Sequence, residues 1–510
     1  METTPRAAED RGPLPKPQPG TVAAFWAMMV VVFLAAMDST IVATVLPSLL
    51  TELGGADLLA WVVTSYLLTT AVSIPLWGKA ADLAGSRSLY VAASVVFLLG
   101  SASVAFAPTM PVLLIARAVQ GIGTGGLMAL TPTITGELFP ARIRGRFHGR
   151  QGAVLAGASI LGPLVGGILA GTLGWRAAFW INLPLVIPAM IIAARYLPPA
   201  APSTPQRRRI DILGAALIAL ASSALLLALS EDTPLAAEPY HTALLVTATL
   251  ATLAYLLWQA RHNDPILPLR VLRSPIIAAG VGLSFITGAA MISAVVYAPL
   301  FAQTVQGHSA ATAGALLLPL TGGVLVANLA GGHLITRFGR YRPFVITGSL
   351  AITAGFGLLT TVGTDTGTLL FVTALTLVGN GLGLTMQPAV LALQNAVDTA
   401  HLGAATAAST FFRQLGSTLA IGVLGGLLTG RIGPQLDALT HGLRTGPAAA
   451  AARVEVSAAF ADLFTALTPV AALAVVLALV LQDKPLSITT PSAPAEKVTD
   501  ETDNDLSAPR

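Results

Sequence analysis

The stretch Trp77–Tyr90, WGKAADLAGSRSLY, is a charged turn between two apolar segments, and its regularly spaced residues are Gly78, Asp82, Gly85 and Arg87. The stretch Gly332–Arg342, GHLITRFGRYR, repeats the glycine spacing and has basic residues nearby, with Thr336 in the place of the acid. Its corresponding residues are Gly332, Arg337, Gly339 and Arg340. The offset of 254 residues in a 510-residue chain predicts an internal duplication.

The composition indicates an integral membrane protein. Hydrophobic residues make up 54% of the chain and charged residues only 10%, with a mean hydropathy of +0.76. Too little polar surface is available to cover a soluble globule of this length. The absence of cysteine excludes disulfides, thiolate catalysis and cysteine-ligated metals. The small net charge of +4 and the absence of a basic patch argue against nucleic acid as a partner.

Apolar runs near 20 residues, the length that crosses a bilayer, predict about fourteen transmembrane helices. The predicted spans are 22–46, 59–78, 88–107, 112–134, 147–172, 177–196, 212–230, 241–260, 275–302, 311–333, 343–363, 368–393, 403–430 and 460–482. Because the repeated turn follows spans 2 and 10, two helices are inserted between two six-helix halves. The predicted fold is therefore all-α, with two six-helix bundles, two inserted helices and an internal pseudo-repeat.

The predicted organisation has five parts, and lysine and arginine give its orientation. They are a disordered tail (1–20), an N-terminal bundle (21–200), a linker with the inserted helices (201–272), a C-terminal bundle (273–484) and a second disordered tail (485–510). Most of the 28 Lys and Arg residues fall on the face shared with the termini. The opposite face holds only Arg176, Arg431, Arg444 and Arg453. The positive-inside rule then makes both termini cytoplasmic.

Two charged residues are predicted inside membrane spans of the first half. Asp38 lies well within span 1, where burying a carboxyl group costs free energy. Such a residue is a functional candidate by default. Arg117 on span 4 shares a helical face with Gln120, Gly121 and Thr124 at i, i+3, i+4 and i+7, and we expect this face to look into a cavity. Asp38 either gains and loses a proton during transport or is a fixed partner of a buried arginine; Arg117 either tunes that carboxyl or only locks span 4 to a neighbour.

The second half has a different set of polar residues. Gln120-Gly121-Ile122-Gly123 aligns with Asn380-Gly381-Leu382-Gly383, which places Leu377 where the first half has Arg117. Asn380, Gln387 and Gln394 on span 12 are seven residues apart and either line a substrate path or join neighbouring helices. Arg413 on span 13 either faces the cavity or extends towards the cytoplasm.

Two segments are predicted to move during transport. Span 5 contains Gly162, Pro163, Gly166 and Gly167, a combination that favours bending and close helix packing. The turn after span 2 is predicted to be a conformational latch, with Asp82 accepting hydrogen bonds from helix N-terminal amides or an arginine. The alternative is that its charges only serve topology. Because Thr336 replaces the acid in the second copy, any latch there is expected to be weaker.

The sequence contains no enzyme signature. Gly121-x-Gly123 lies in a membrane span rather than after a strand, and no phosphate-binding lysine motif follows a glycine run. The histidines form no close metal-binding pair, and those expected to be solvated near span ends are His148, His241, His262, His308 and His401. We expect no metal and no cofactor, with a proton gradient as the energy source.

The two turns resemble the cytoplasmic signature of the major facilitator superfamily. Other motifs are similar to those of its fourteen-span drug:proton antiporters: Asp38–Val42 with Pro47, Trp61 to Tyr66, Arg117-x-x-Gln120-Gly121, Gly162-Pro163-x-x-Gly166-Gly167, Trp175-Arg176 and Phe179–Pro184. The resemblance implies two bundles around a central cavity that work by alternating access. It also implies that Arg117 takes part in proton coupling. The chain departs from the family pattern at Ala43, Leu83 and Thr336.

The sequence therefore predicts a monomeric, multi-pass transporter in the bilayer of a bacterial inner membrane. We expect it to use proton influx to export small lipophilic drugs or antibiotics, cationic or neutral in charge. Asp38 and Arg117 are the predicted proton-coupling residues. The predicted substrate cavity comprises Thr40, Tyr66, Gln120, Thr124, Asn380, Gln387 and Arg413. Two alternatives are a dedicated exporter of one metabolite or lipid and a membrane sensor that transports nothing.

Overall fold

The computed structural model describes residues 17–55, 58–198, 211–229, 240–262, 274–364, 367–398, 401–441 and 446–486. Most of the two predicted tails, the basic linker before Asp211 and the loop after His262 lie outside these ranges. The part of the chain that is described is helical and contains no β-strand.

The first half and the insertion comprise nine helices. They are α1 (Pro19–Leu53), α2 (Leu59–Ala84), α3 (Ser86–Ala105), α4 (Met110–Leu138), α5 (Ala141–Thr172), α6 (Ala177–Trp180), α7 (Asn182–Tyr196), α8 (Ile212–Ala228) and α9 (Tyr240–Arg261). The second half comprises α10 (Pro275–Thr304), α11 (Ala310–Ala315), α12 (Leu318–Phe338), α13 (Arg342–Leu359), α14 (Thr368–Gln394), α15 (Leu402–His441) and α16 (Pro447–Val480).

Twelve of the described helical segments are long and apolar enough to cross a membrane. The predicted spans 59–78 and 212–230 fall on α2 and α8, which are not among these twelve. α8 has only 17 residues, fewer than the roughly 20 that cross a bilayer without tilt or thinning. The last span also begins earlier than predicted, because α16 starts at Pro447 rather than near residue 460.

The two halves contain matching contacts between helices. On α4, Gly121 and Gly125 pack on the carbonyl groups of Tyr66 and Thr70 of α2; on α14, Gly379 and Gly383 pack in the same way on Leu320 and Val324 of α12. Likewise, Gly123 packs on α3 and Gly381 on α13. The matching glycines are therefore 258 residues apart. This spacing differs by two residues from the alignment of Gln120 with Asn380 and matches Arg117 with Leu375.

Both ends of the described chain lie on one face of the molecule, which we call the terminal face. Gly20, at the start of α1, packs against Tyr196 at the end of α7. Tyr341, before α13, donates a 2.6 Å hydrogen bond to the carbonyl of Gln482 just after α16. Leu486 is fully buried, although it falls in the segment predicted to be a disordered tail.

The halves meet mainly near the terminal face, through α5 against α12 and α2 against α15. Gly149 of α5 packs on the backbone of Asn328 and on Gly332 of α12. Farther along α5, positions Gly157 and Gly167 have no neighbour within 4 Å of an added Cβ. The contacts between the halves therefore close the molecule at its terminal face.

The helix pair α8 and α9 packs against the same side of both halves. Ile218 of α8 and Tyr255 of α9 form an apolar cluster with Ile74 of α2 and with Ala407 and Phe411 of α15. The inserted helices thus cover the side of the molecule where α2 meets α15.

Candidate functional site

Asp38 and Arg117 form an ion pair between α1 and α4, and each side chain is 1% exposed. Arg117 Nη1 lies 2.5 Å from Asp38 Oδ2. Gln120 Nε2 donates to Asp38 Oδ1 at 3.0 Å, and Gln120 Oε1 accepts from Arg117 Nη1 at 2.7 Å. The three side chains form a closed hydrogen-bonded triangle. A buried carboxylate and a buried guanidinium offset each other's charge only when such bonds are satisfied.

Aromatic and polar residues of other helices complete this cluster. The guanidinium carbon of Arg117 lies 4.0 Å from the ring centroid of Tyr66, a cation–π contact that supports a desolvated cation. Tyr66 itself donates to the carbonyl of Ala35 on α1. Asn182, at the start of α7, donates to Ser101 at 2.8 Å and reaches Asp38 Oδ1 at 3.5 Å.

Sequence analysis assigned no role to Asn182. The sequence did offer a reason to notice Asn182, because it is a polar residue of the Phe179–Pro184 motif near the start of a predicted span. Its position beside Asp38 depends on how α7 packs on α1. A sequence pattern does not give that packing.

The predicted cavity residues divide into two groups in this conformation. Thr40, Asn380 and Arg413 are partly exposed. The buried members are Tyr66, Gln120, Thr124 and Gln387. Thr124 bonds to the carbonyl of Gln120 in its own helix. The face of α4 that was expected to look into a cavity is instead covered by α1 and α2.

The segment of α5 that contains Gly162, Pro163, Gly166 and Gly167 packs on α1 directly beyond Asp38. A Cβ on Gly162 would collide with Thr40, and one on Gly166 would lie 2.5 Å from Thr44 Oγ1. Gly167 faces open space. Two of the three glycines therefore allow α5 to lie against the helix that carries the buried carboxylate.

The predicted latch residue Asp82 bridges the two halves. Its carboxylate oxygens accept hydrogen bonds from the backbone nitrogens of Gly403 at 2.8 Å and Ala404 at 2.9 Å. These are free amides in the first turn of α15, where the helix dipole also favours an anion. Gly78, one turn earlier, packs on Gly403 and Ala407. Gly85 follows at the end of α2 with a φ of 84°, which a residue with a side chain rarely adopts.

The second copy of the turn makes a different contact. Thr336 donates to the carbonyl of Gly332 in its own helix and does not cross to the other half through that bond. Gly339 ends α12 with a φ of 71°, and Arg142 of α5 donates to the carbonyl of Arg337. Here the halves are joined by close packing and one arginine rather than by a carboxylate.

His148 was expected to be solvated near a span end, and this expectation was wrong. It is fully buried on α5, and its Nε2 lies 2.9 Å from Gln394 Oε1 of α14. Gln394 also donates to the carbonyl of Pro132 on α4. This amide therefore joins helices of the two halves, which was one of the two roles considered for it. Within the described ranges, no group of three His, Asp or Glu residues is placed to hold a metal ion.

A separate ion pair lies at the face opposite to the terminal face. Arg176 pairs with Glu52 at the end of α1, and Trp175 Nε1 donates to the same carboxylate at 2.7 Å. The hydrogen bonds from Arg176 and then Trp175 hold the pKa of Glu52 below its ordinary value. Both charged side chains are substantially exposed, so the pair contributes little to stability.

A family model described as the Major Facilitator Superfamily matches residues 28–421. The Multidrug transporter protein MdtP of Bacillus subtilis is 34% identical over 422 residues, which are 81% of this chain and 77% of MdtP. Multidrug resistance protein 3 of the same organism is 29% identical over 83% of this chain and 82% of its own length. An uncharacterized MFS-type transporter of Mycobacterium tuberculosis is 37% identical over 450 residues, which are 88% of this chain. This chain spans only 65% of the length of that relative.

Solved structures of transporters have the same fold. The proton:xylose symporter XylE aligns with a TM-score of 0.60 and 17% identity, over 88% of this chain and 94% of XylE. The human organic anion transporter MFSD10 also aligns with a TM-score of 0.60, at 15% identity, over 89% of this chain and all of MFSD10. At these identities the likeness concerns the fold alone.

Proposed function

Because the chain belongs to the major facilitator superfamily, whose members are membrane transporters and not enzymes, we propose that it exports lipophilic small molecules, drugs or antibiotics among them, in exchange for protons. The observation that carries this proposal is the buried Asp38–Arg117 pair. Ionisable groups inside a membrane are costly and mark ion or proton pathways. The names of the two Bacillus subtilis relatives, a multidrug transporter protein and a multidrug resistance protein, support drugs as substrates.

Asp38 is the proposed proton carrier, and Arg117 keeps its own proton throughout. In the charged state, Arg117 and Gln120 both donate to the carboxylate and tie α1 to α4. Binding of a proton removes the charge on Asp38 and weakens its bond to Arg117. The link between α1 and α4 therefore depends on whether the carboxyl group holds a proton.

The contacts of α5 connect this site to the closed face. Gly162 and Gly166 allow α5 to pack closely on Thr40 and Thr44 of α1, next to Asp38. At its other end, α5 packs on α12 through Gly149. A shift of α1 on protonation is passed through α5 to the contact between the halves, which can then open. Such rocking of two bundles around a central site is the mechanism of alternating access.

We assign the terminal face to the cytoplasm, because most lysine and arginine residues lie on that side. Under this assignment α2 and α8 complete fourteen spans, the two halves arose by duplication, and the structure is closed towards the cytoplasm. The protein then resides in a bacterial inner membrane as a monomer, with protons and small lipophilic molecules as its partners and without a cofactor.

Everted membrane vesicles with an acidic interior test the proposal. A pH-sensitive dye reports the gradient while a panel of lipophilic compounds is added to wild type and to Asp38→Asn. We expect some compounds to collapse the gradient in wild type but not in the variant. If none of them moves protons although the protein is inserted and folded, multidrug antiport is contradicted. Collapse by a single compound class would favour a dedicated exporter instead.

A further inference from the structure

Arg413 on α15 is a partly exposed cation within a predicted membrane span of the second half, and the proposed proton site does not use it. Its Cγ lies against Gly288 of α10, where an added Cβ would be 3.0 Å away. The neighbouring Ser417 donates to the carbonyl of Gly288, which fixes α15 against α10 at this level. Across the described residues, no side chain or carbonyl forms a hydrogen bond or ion pair with the Arg413 guanidinium. Arg413 is partly exposed.

The position of Arg413 along α15 rules out an extended side chain that reaches either face. It lies 11 residues after Leu402 and 18 residues before Arg431. At about 1.5 Å per residue, these separations are roughly 16 Å and 27 Å, much longer than an arginine side chain. Its charge therefore stays in the membrane interior.

The helical face that carries Arg413 packs on Gly288 of α10 and, nearer the terminal face, reaches the boundary between the halves. Thr406, Thr410, Arg413 and Ser417 follow at i, i+4, i+7 and i+11, which places them on one face of α15. Thr406 accepts from Gln394, which also donates to Pro132 of the first half. This contact shows that the face looks towards the boundary of the two halves. Arg413 lies two turns farther from the closed terminal face on the same side.

Four described helices of the second half offer Arg413 no counter-ion. Helices α10, α12, α13 and α14 contain no aspartate or glutamate. On α16, Asp462 pairs with Arg431 and Glu455 accepts from Gln435, and both carboxylates are exposed. Asp38 of the first half is already bound by Arg117 and Gln120. Among the described residues, Arg413 therefore has no carboxylate partner in this conformation.

We propose that Arg413 binds the acidic group of the exported molecule, so that the preferred substrates are lipophilic carboxylates. A guanidinium matches a carboxylate through two parallel hydrogen bonds, which are among the strongest in proteins. Met291 and Ile292, one turn from Gly288 on α10, are partly exposed and supply an apolar surface for the remainder of the molecule. This inference rests on the proposed export function and changes the expected substrates from cationic or neutral compounds to acids.

The test uses three probes that share one skeleton: pyrenebutyrate, its neutral primary amide and pyrenebutylamine. Equilibrium binding of tritiated probes is measured on purified protein in nanodiscs, without a gradient. Wild type is compared with Arg413→Gln, Arg413→Lys and Arg431→Gln. The last variant is a matched control, because Arg431 is an exposed arginine of the same helix. Transport of the same probes into energised everted vesicles is measured in parallel.

We expect wild type to bind pyrenebutyrate at least about tenfold more tightly than the amide, the effect of one charge-assisted bidentate contact. Arg413→Gln removes this preference while amide binding is unchanged. Arg413→Lys keeps part of it, and Arg431→Gln keeps all of it. Equal binding of the three probes by wild type, or an unchanged preference in Arg413→Gln, would overturn the inference.

The two measurements separate the inference from the export function. Selective binding without transport supports the acid site and contradicts export. Transport of the amide or the amine without any preference for the carboxylate supports export and overturns the acid site. A poorly folded Arg413→Gln would show weakened binding of the amide as well. In that case Arg413→Lys is the deciding variant: a partly retained preference for pyrenebutyrate over the amide supports the acid site, and an unchanged preference overturns it.

Discussion

The two halves of this transporter place their buried charges in different ways. In the first half Asp38 and Arg117 offset each other, each 1% exposed, with Gln120 completing the cluster. In the second half no described aspartate or glutamate pairs with Arg413, and Leu375 lies where the matching glycine contacts place the position of Arg117. The same scaffold thus holds a neutral pair on one side and a single cation on the other. We assign the proton to the first half and the substrate's acidic group to the second.

The largest expected effect comes from Asp38→Asn. An amide keeps the size of the side chain but cannot carry a proton, so gradient-driven transport should fall to the level of vesicles without the protein. Exchange of labelled for unlabelled substrate needs no proton and should persist. Net transport driven by the gradient in this variant would contradict the division between the halves.

Arg117→Ala should destabilise the protein, because it leaves a buried carboxylate without its cation. Breaking such a pair costs about 3–5 kcal/mol. Thermal unfolding in detergent measures the change in Tm. The double variant Asp38→Asn/Arg117→Ala should recover part of that loss without recovering coupled transport. If the double variant were as unstable as Arg117→Ala alone, the pair would not be the source of the loss.

Substitution of the latch residue Asp82 is expected to have a smaller effect, and it tests a second difference between the halves. Asp82→Asn replaces a carboxylate that accepts from Gly403 and Ala404, and charged hydrogen bonds are worth about 1.5–3 kcal/mol. We expect the closed conformation to lose about tenfold in population. Because the chain has no cysteine, spin labels can be placed at single cysteines introduced at Ser88 and Asp398 to report the distance between the halves.

Thr336→Val is the matched change in the second copy of the turn. Thr336 bonds only within its own helix through its hydroxyl, so the distance distribution between the labels should stay as in wild type. An equal shift for Asp82→Asn and Thr336→Val would remove the distinction between the two turns.

The smallest effect is expected along α5. Gly149→Ala places a methyl group against the backbone of Asn328 and should shift the population by a few-fold away from the closed form. Gly157→Ala on the same helix meets nothing within 4 Å and serves as the control. Similar label distances in the two variants would show that α5 and α12 do not need to approach so closely.

Much of the architecture could be predicted from the sequence because membrane spans depend on length and hydropathy alone. The repeated turn located the ends of α2 and α12, and the isolated charges Asp38 and Arg117 were visible because charge is rare in such spans. Their direct contact was one of the arrangements that the sequence allowed.

Other features depend on packing between distant helices and could not be predicted. The burial of His148 against Gln394 arises only where α5 meets α14. Helix N-terminal amides were one of the two predicted partners of Asp82, but the sequence could not locate the donors, because backbone amides such as those of Gly403 and Ala404 leave no mark in side-chain patterns. The register that matches the contacts of α4 with those of α14 follows from which helix each glycine faces, since both registers align glycines.

Direct measurement of proton release on substrate binding tests the central claim that Asp38 carries the exchanged proton. Purified protein in weakly buffered detergent with a pH-sensitive dye is mixed with a compound that collapses the gradient in the vesicle assay, at a pH where wild type binds it. Linkage requires that a substrate which competes with a proton displaces it. We predict acidification with wild type and none with Asp38→Asn, although that variant binds the probe. Equal acidification by both proteins would show that the exchanged proton comes from another group.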